Sequence, residues 1–144
     1  MARADFGFFW PLRVRYAEVD VQGVVYNAHY MIYFDVAMTE YMRGLGYEST
    51  TETARRGAAE QLIRSLVEYK APLTADQEID IGVRVSRIGR TSLAFHLEIH
   101  PRGADRVLTR GEIVWVNSDL KAQKAVPFPA FVTDGIRKRE GLMD

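Results

Sequence analysis

The sequence of 144 residues predicts an α+β fold in which an antiparallel sheet of five strands, or slightly more, wraps around one long central helix. Two observations indicate this arrangement. The apolar residues that follow Asn27 repeat at helical spacing, whereas most of the later chain alternates apolar and polar residues with the period of a strand. The order is therefore one strand, the long helix and then four strands. A sheet that surrounds the helix would explain why the helix is so apolar.

The first two elements follow from this periodicity. Alternation of apolar and polar residues from Leu12 through Tyr16 predicts a half-buried strand. Asn27 is a favourable N-cap, and Gly44 a favourable stop, for a helix of roughly 17 residues. The helix is predicted to carry one continuous apolar stripe, formed by Tyr30, Phe34, Ala37, Met38, Tyr41 and Leu45.

The rest of the chain is predicted to be mostly strands. Residues 48–59 are polar and predict a loop with a short helix. Apolar alternation then predicts four strands, at about 62–69, 79–85, 93–99 and 107–116, with hairpin turns at 88–91 and 101–105. Pro127 and Pro129 precede a short C-terminal helix at about 130–140.

Composition limits the function. A formal net charge of zero argues against general binding to nucleic acids or membranes, since both require a positive field. The apolar run near Phe6 and Trp10 is too short to span a membrane, and no other run approaches about 18 residues. The absence of cysteine removes thiolate chemistry and fits a cytoplasmic protein. We expect a single domain over residues 1–144.

Several common catalytic motifs are absent. The sequence contains no Gly-x-Ser-x-Gly elbow and no glycine-rich phosphate loop. His96 and His100 lie in a predicted strand, where four residues span about 13 Å, so they are too far apart to share a metal ion. The sequence therefore predicts no metal site and no cofactor.

The residues from Asp20 to Tyr30, DVQGVVYNAHY, are the strongest candidate for chemistry. Asp20 could simply form the turn, because Asp-x-x-Gly is common in loops. Alternatively, the start of the helix presents unpaired N–H groups that can stabilise an oxyanion. A carboxylate beside that helix end could attack a carbonyl group or activate water. The carboxylate and the helix N-terminus together would form an acyl-transfer site that needs neither serine nor cysteine.

The stretch VRYAEVDVQGVVYNAHYMIYFDVAMTEYMRGLGY resembles the opening of the hotdog-fold acyl-CoA thioesterases, specifically the 4-hydroxybenzoyl-CoA thioesterase-like group. The segment LVEYKAPLTADQEIDIGVRVSRIGRTSLAFHLEI is similar to that family's Tyr-x-x-Pro-Leu motif and its Gly-Arg/Lys-Thr-Ser hairpin. KAVPFP is similar to the family's usual ending. The resemblance covers roughly residues 12–129, and its first motif is the most specific.

The resemblance implies hydrolysis of a coenzyme A thioester, with Asp20 as nucleophile or general base. It assigns the oxyanion donor to the backbone N–H of Asn27 and the turn between them to Gly23. It also implies that a second subunit completes each pocket, in a dimer that often pairs into a tetramer. Many relatives carry His where this chain has Asn27, and Asn or Ser where it has His29, which leaves the substrate class open.

Further residues are weaker candidates. Asp35 on the central helix is the backup catalytic acid, although a hydrogen-bonding role is the simpler interpretation. We also predict substrate contacts from Tyr26, His29 and Tyr30, although the two tyrosines could instead be core or pocket-wall residues and His29 could be solvated or a capping residue. The predicted partners of the coenzyme A phosphates are the exposed cations Arg87, Arg90, Lys121 and Lys124. These four are equally compatible with an ordinary solvated surface.

Three other functions remain open at this stage. The chain could hydrolyse thioesters of acyl carrier protein, although it lacks the basic surface that would suit an acidic carrier. It could bind an acyl or aromatic ligand without catalysis, but such a binder would not need Asp20. Hotdog hydratases generally rely on a catalytic His with an acid, and no such motif appears. The pattern does not identify the acyl group.

Overall fold

The computed structural model describes residues 2–142. Its helices and strands, in chain order, are β1 (Phe9–Arg13), α1 (His29–Arg43), α2 (Ser49–Arg56), β2 (Ala58–Tyr69), β3 (Glu78–Ile88), β4 (Ser92–Pro101), β5 (Thr109–Asp119), β6 (Lys124–Ala125) and α3 (Ala130–Glu140). Two single-turn 3-10 helices, Arg3–Asp5 and Tyr16–Glu18, flank β1.

All strand pairs are antiparallel, and the strands lie in the order β1-β3-β4-β5-β2, with the short β6 also paired to β5. The long helix α1 packs against this sheet. The predicted α+β arrangement, a sheet curled around one long helix, is confirmed. The predicted short helix within 48–59, both hairpins and the C-terminal helix are also present.

The apolar stripe of α1 forms the centre of the core. Tyr30, Phe34, Ala37, Met38 and Tyr41 are all buried, as the helical spacing predicted, whereas Leu45, the last residue of the predicted stripe, lies beyond the end of α1 and is half-buried. Burial of each large apolar side chain contributes about 1.5–3 kcal/mol. The helix lies very close to the sheet, since a Cβ added at Gly111 of β5 would stand 2.5 Å from the ring of Phe34. Glycine at this strand position therefore permits the close approach.

The first predicted strand extends too far along the chain. β1 ends at Arg13, and Tyr16 lies in a 3-10 turn with 83% of its surface exposed. Glu18 causes the change, because its carboxylate accepts hydrogen bonds from the backbone N–H of Arg15, at 2.8 Å, and from the guanidinium of Arg15, at 2.6 Å. These local bonds bend the chain into a turn and override the alternating pattern.

The start of the central helix also differs from the prediction. The helix begins at His29 with Ala28 as its N-cap, and no side chain caps it. The N–H of His29 donates to the carbonyl of Tyr26 at 2.9 Å, and the N–H of Tyr30 donates to that of Asn27 at 3.3 Å. Asn27 is therefore part of a tight turn that leads into the helix.

Strand β2 forms one edge of the sheet and is unusually exposed. Leu62, Ile63 and Leu66 are each more than 40% exposed, and a bulge at Ile63 shifts the register against β5. On α1, Ile32 and Val36 are also exposed. A long apolar edge strand such as this one is suited to pairing with another chain. No helix within residues 2–142 is long and apolar enough to cross a membrane.

Candidate active site

Asp20 begins a tight turn in the loop before α1. Its backbone N–H donates to the carbonyl of Val24 at 2.9 Å, and its own carbonyl accepts the N–H of Gly23 at 3.0 Å. One carboxylate oxygen of Asp20 accepts the N–H of Gln22 at 2.8 Å. Gly23 adopts φ of +81°, a conformation that L side chains rarely tolerate. Asp20 therefore does shape the turn, and its other carboxylate oxygen has no hydrogen-bond partner within residues 2–142.

The buried acid Glu18 connects this loop to the helix α1. Only 3% of Glu18 is exposed, and its carboxylate accepts hydrogen bonds from Arg15 and from the hydroxyl of Tyr33, the latter at 2.8 Å. Its carbonyl accepts the N–H of Tyr26 at 2.9 Å. Burial alone would raise the pKa of Glu18, but the hydrogen bonds from Arg15 and Tyr33 and the charge of Arg15 outweigh it, so the pKa is lowered.

The approach to the helix leaves two backbone donors free. The N–H groups of Asn27 and Ala28 make no hydrogen bond to any other described residue. They lie at the positive end of a helix of 15 residues. Such a pair of donors can stabilise negative charge that develops on a carbonyl oxygen.

A cleft of about 290 Å³ opens beside these donors. Its walls are Val24, Val25, Asn27, Tyr30, Tyr69, Lys70, Ala71 and Pro72. The hydroxyl of Tyr69 donates to the carbonyl of Asn27 at 3.3 Å, and the rings of Tyr69 and Tyr30 meet edge to face at 4.8 Å. Burial raises the pKa of the Tyr30 hydroxyl. The cleft combines an apolar wall with Asn27 at the start of the helix, and Lys70 also lines it.

Not every predicted site residue lines this cleft. Asn27 and Tyr30 do, whereas Asp20, Tyr26 and His29 do not. Tyr26 is half-exposed, and its ring contacts that of His29 edge to face at 6.3 Å. The Nδ1 atom of His29 is buried without a hydrogen-bond partner among the described residues. Asp20 and Tyr26 lie in the loop before α1, and His29 is the first residue of α1; none of the three lines the cleft.

Asp35, the backup acid, lies one helical turn beyond the cleft. It borders a smaller pocket of about 50 Å³ together with Leu62 and Trp115. Its side chain is exposed in the single chain, yet enough protein surrounds it that burial raises its pKa, and the neighbouring Glu60 carboxylate adds to the rise. This pocket opens toward the exposed strand β2.

The four predicted phosphate-binding cations collect at the other end of the sheet. Arg87 and Arg90 belong to the β3–β4 hairpin, whereas Lys121 and Lys124 follow β5. The two segments are adjacent, because Asn117 donates its N–H to Thr91 of the hairpin at 2.9 Å. As predicted, all four side chains are exposed.

These cations are remote from the cleft at Asn27 within one chain. The end of β5 near the cleft begins at Thr109, which pairs with Tyr69, and the opposite end is Asp119, which pairs with Lys124. Strands rise about 3.3 Å per residue, so the two ends lie roughly 33 Å apart. One chain therefore does not bring the predicted catalytic turn and the predicted phosphate partners together.

The two strand histidines do not approach each other. His100 is fully buried, and its Nε2 lies 3.0 Å from the carboxylate of Glu98, while His96 faces Glu112 at 3.5 Å. Within residues 2–142, no three His, Asp or Glu side chains are grouped so that they could hold a metal ion.

Sequence reasoning missed two features of this region. Alternation gave no signal for the buried acid Glu18, because Glu18 lies in the 3-10 turn after β1, where Tyr16 of the same phase is exposed. Tyr69 and Lys70 lie within the recognised Tyr-x-x-Pro-Leu motif, but the pattern does not show that they meet Asn27. Their place in the cleft depends on the pairing of β2 with β5.

Comparisons with known proteins agree with this architecture. The chain is 32% identical over 123 residues to the acyl-CoA thioester hydrolase YbgC of Escherichia coli O6:H1 strain CFT073, covering 85% of this chain and 90% of that protein. Its fold is similar to that of the PA5185 protein of Pseudomonas aeruginosa, with a TM-score of 0.87, 24% identity, and coverage of 96% and 95% of the two chains.

A second solved structure shows the same fold. The 1,4-dihydroxy-2-naphthoyl-CoA thioesterase of Synechocystis superposes with a TM-score of 0.84 at 18% identity, over 90% of this chain and 94% of that one. The expected hotdog fold is thereby confirmed. The family model of the thioesterase-like superfamily matches residues 14–136, which include the Asp20 turn, the central helix and all the long strands. The chain belongs to the thioesterase-like superfamily.

Proposed function

We propose that this protein hydrolyses a coenzyme A thioester to a carboxylic acid and free coenzyme A. The observation that carries the proposal is a single short loop. The Asp20 carboxylate lies at its beginning, and the free N–H groups of Asn27 and Ala28 lie at its end, where α1 starts. The 32% identity with an acyl-CoA thioester hydrolase supports the reaction class. No cofactor beyond the coenzyme A of the substrate is proposed, and the lack of cysteine fits a cytoplasmic location.

The proposed chemistry needs one carboxylate and one oxyanion site. The thioester carbonyl would accept hydrogen bonds from the N–H groups at the start of α1, which polarise it and stabilise the tetrahedral oxyanion. Asp20 would either take a proton from the attacking water or attack the carbonyl itself, giving an acyl anhydride that water then cleaves. In both routes the C–S bond breaks, and the thiolate of coenzyme A leaves and is protonated.

The functional unit is proposed to be a dimer formed through β2. The exposed apolar residues of this edge strand, Leu62, Ile63 and Leu66, would be buried by antiparallel pairing with a second copy. Such pairing sets the Ala58 end of one β2 beside the Tyr69 end of the other. The cations at the far end of one sheet would then approach the Asn27 cleft of the second chain. A further pairing of dimers into a tetramer is part of the same proposal.

The acyl group is proposed to lie between α1 and β2. Two small pockets lie there. Met31, Phe34 and Met38 border one of them, and Met42 and Tyr47 border the other. Both pockets share Trp115 as a wall. A second chain paired at β2 would cover them, so the depth of the acyl pocket depends on the assembled protein.

Release of free thiol from a panel of aryl- and alkyl-CoA thioesters tests the proposal. We expect Asp20→Asn, which keeps the shape and removes the charge, to lower kcat at least about a hundredfold, or about 2.7 kcal/mol of barrier. Asp35→Asn is the matched control, because it removes an equivalent charge from the same region. If Asp20→Asn keeps full activity while Asp35→Asn loses it, the catalytic acid is Asp35. If no coenzyme A thioester reacts with the wild type, the proposed reaction is wrong.

A further inference from the structure

The two small pockets between α1 and β2 follow one another along both elements. The first compartment, of about 50 Å³, is bordered on α1 by Met31 and Met38 and on β2 by Leu62. The second compartment, of about 20 Å³, is bordered on α1 by Met42 and on β2 by Glu60. The first compartment is therefore the nearer of the two to the N–H groups at the start of α1.

Trp115 of β5 is the one residue within 2–142 that borders both compartments. Its side chain is buried, and its ring meets the edge of the Phe95 ring at a centroid distance of 4.8 Å. In the sheet it pairs with Leu62 of β2 on one side and with Leu93 of β4 on the other. Because close-packed neighbours hold a buried aromatic ring in one orientation, the indole is a fixed part of the wall.

The two compartments differ in chemistry on either side of this indole. Apart from Asp35 and the indole itself, the first compartment has an apolar lining, made by Met31, Phe34, Met38, Leu62 and Ile113. The second compartment has a more polar lining, in which the hydroxyl of Tyr47 donates to the carboxylate of Glu60 at 2.7 Å. A hydrocarbon group gains free energy from burial in the first compartment, whereas polar groups in the second favour it less. Trp115 therefore lies where the apolar lining ends.

We propose that Trp115 closes the far end of the acyl pocket and so sets the longest acyl group that the protein accepts. This inference rests on the proposed function, in which the thioester carbonyl lies at the start of α1 and the acyl group lies between α1 and β2. An acyl chain that begins there passes Met31 and Met38 and then meets the indole. A longer chain is rejected, because a close-packed wall yields little to additional methylene groups.

Binding of S-alkyl coenzyme A thioethers tests the role of Trp115 without hydrolysis, because a thioether has no carbonyl group to be attacked. In isothermal titrations of the wild type, we expect affinity to rise about fourfold for each added methylene group, the effect of burying one CH₂, and to stop rising at a limiting chain length. Trp115→Leu should bind longer chains, since Phe95 and Leu62 bound the space that the indole vacates. The same limit in both proteins, or no binding of any thioether to the wild type, would overturn the proposal.

Trp10 provides a matched control for Trp115. It also packs against the core, but it borders neither compartment. Trp10→Phe should therefore keep the limiting chain length of the wild type, whereas Trp115→Phe should extend the limit, by less than Trp115→Leu does. Thermal unfolding of each variant checks its fold. If Trp115→Leu does not fold, the comparison of Trp115→Phe with Trp10→Phe, the same substitution at two positions, still decides the outcome.

Fluorescence shows directly whether the ligand reaches the indole. The chain contains two tryptophans, so Trp10→Phe leaves Trp115 as the sole source of tryptophan emission. We expect a thioether of the limiting length to change this emission at saturation, and a methyl thioether, which does not extend to the indole, to leave it unchanged. Emission that stays the same with the thioether of limiting length would show that the chain ends elsewhere, and would contradict the proposal.

Hydrolysis is measured separately, so that this inference and the proposed function can fail independently. Where acyl-CoA thioesters are hydrolysed, Trp115→Leu should move the greatest kcat/KM toward longer acyl chains. If thioethers bind with a limit that depends on Trp115 but no thioester is hydrolysed, the proposed reaction is wrong and the role of Trp115 stands. If thioesters are hydrolysed but neither the binding limit nor the preferred chain length changes in Trp115→Leu, the reaction stands and the role of Trp115 is wrong.

Discussion

The hydroxyl of Tyr33, on the central helix, donates a hydrogen bond of 2.8 Å to the carboxylate of Glu18, two residues before Asp20. Both side chains are buried, and Arg15 binds the same carboxylate from the solvent side. The bond therefore fastens the proposed catalytic turn to the buried face of α1. The position of Asp20 relative to the start of α1 therefore depends on a residue that does not enter the cleft.

Tyr33→Phe should destabilise the protein. The substitution removes the hydroxyl and leaves a buried carboxylate with one donor fewer, which costs about 1.5–3 kcal/mol for a hydrogen bond to a charged group. Urea unfolding measures the loss. Tyr16→Phe is the control, because Tyr16 is 83% exposed and its hydroxyl has no partner among the described residues. Equal stabilities for Tyr33→Phe and wild type would show that the Glu18 bond does not hold the loop.

Glu18 should make stability depend on pH. Its pKa in the folded state lies below the ordinary value near 4.5, so the folded protein binds fewer protons there than the unfolded chain. The contribution is complete above that ordinary value and is lost as pH falls through the lowered pKa. Glu18→Gln should therefore be less stable than wild type at pH 7, with a smaller difference at pH 3. Exposed Glu48→Gln is the control, and a difference that does not vary with pH would contradict the assignment.

Gly23→Ala should strain the Asp20 turn without a steric clash. A Cβ at Gly23 meets nothing within 4 Å, but φ is +81°, which costs about 1–2 kcal/mol for a residue with a side chain. Gly7→Ala is matched to it, because Gly7 is equally open but does not have a positive φ. Thermal unfolding of the two variants measures the cost. An equal melting temperature for both would mean that the turn relaxes freely.

Ile63→Lys should separate the proposed dimer. Ile63 is 61% exposed at the bulge of edge strand β2, and a charged side chain there opposes edge-to-edge pairing. We expect sedimentation equilibrium to show a monomer, and thiol release to be lost with it. Tyr16→Lys is the control for sedimentation, because it places the same charge on an exposed residue just after β1, the opposite edge strand of the sheet. A wild type that sediments as a monomer and still hydrolyses thioesters would disprove the β2 assembly.

The fold was largely predictable because its strongest elements have regular periods. The stripe of α1 and the alternation in β3, β4 and β5 depend only on which face each residue buries. Tyr16 and Asn27 were assigned wrongly because side-chain and turn hydrogen bonds act there: Glu18 bends the chain after β1, and the 26–30 turn displaces the helix start. Local patterns do not reveal such competing bonds.

The site was less predictable than the fold. Asp20, Gly23 and Asn27 lie within eight residues of sequence, so one motif predicted them together. Tyr69 joins Asn27 only through strand pairing, and Arg87 and Lys124 prove to be remote from Asn27 for the same reason. Distances between segments far apart in sequence follow from the order of strands in the sheet, which periodicity does not specify.

Because the sheet is long, the two chains of the proposed dimer would contribute different parts of each active site. One chain holds the Asp20 turn at one end and the cation-bearing loops at the other, and the proposed antiparallel pairing at β2 would make each site a composite of two chains. A chain defective only at Asp20 and a chain defective only at its far-end cations, Arg87, Arg90, Lys121 and Lys124, would then complement each other. Their mixed dimer would keep one intact site and one doubly defective site, although neither parent protein keeps any.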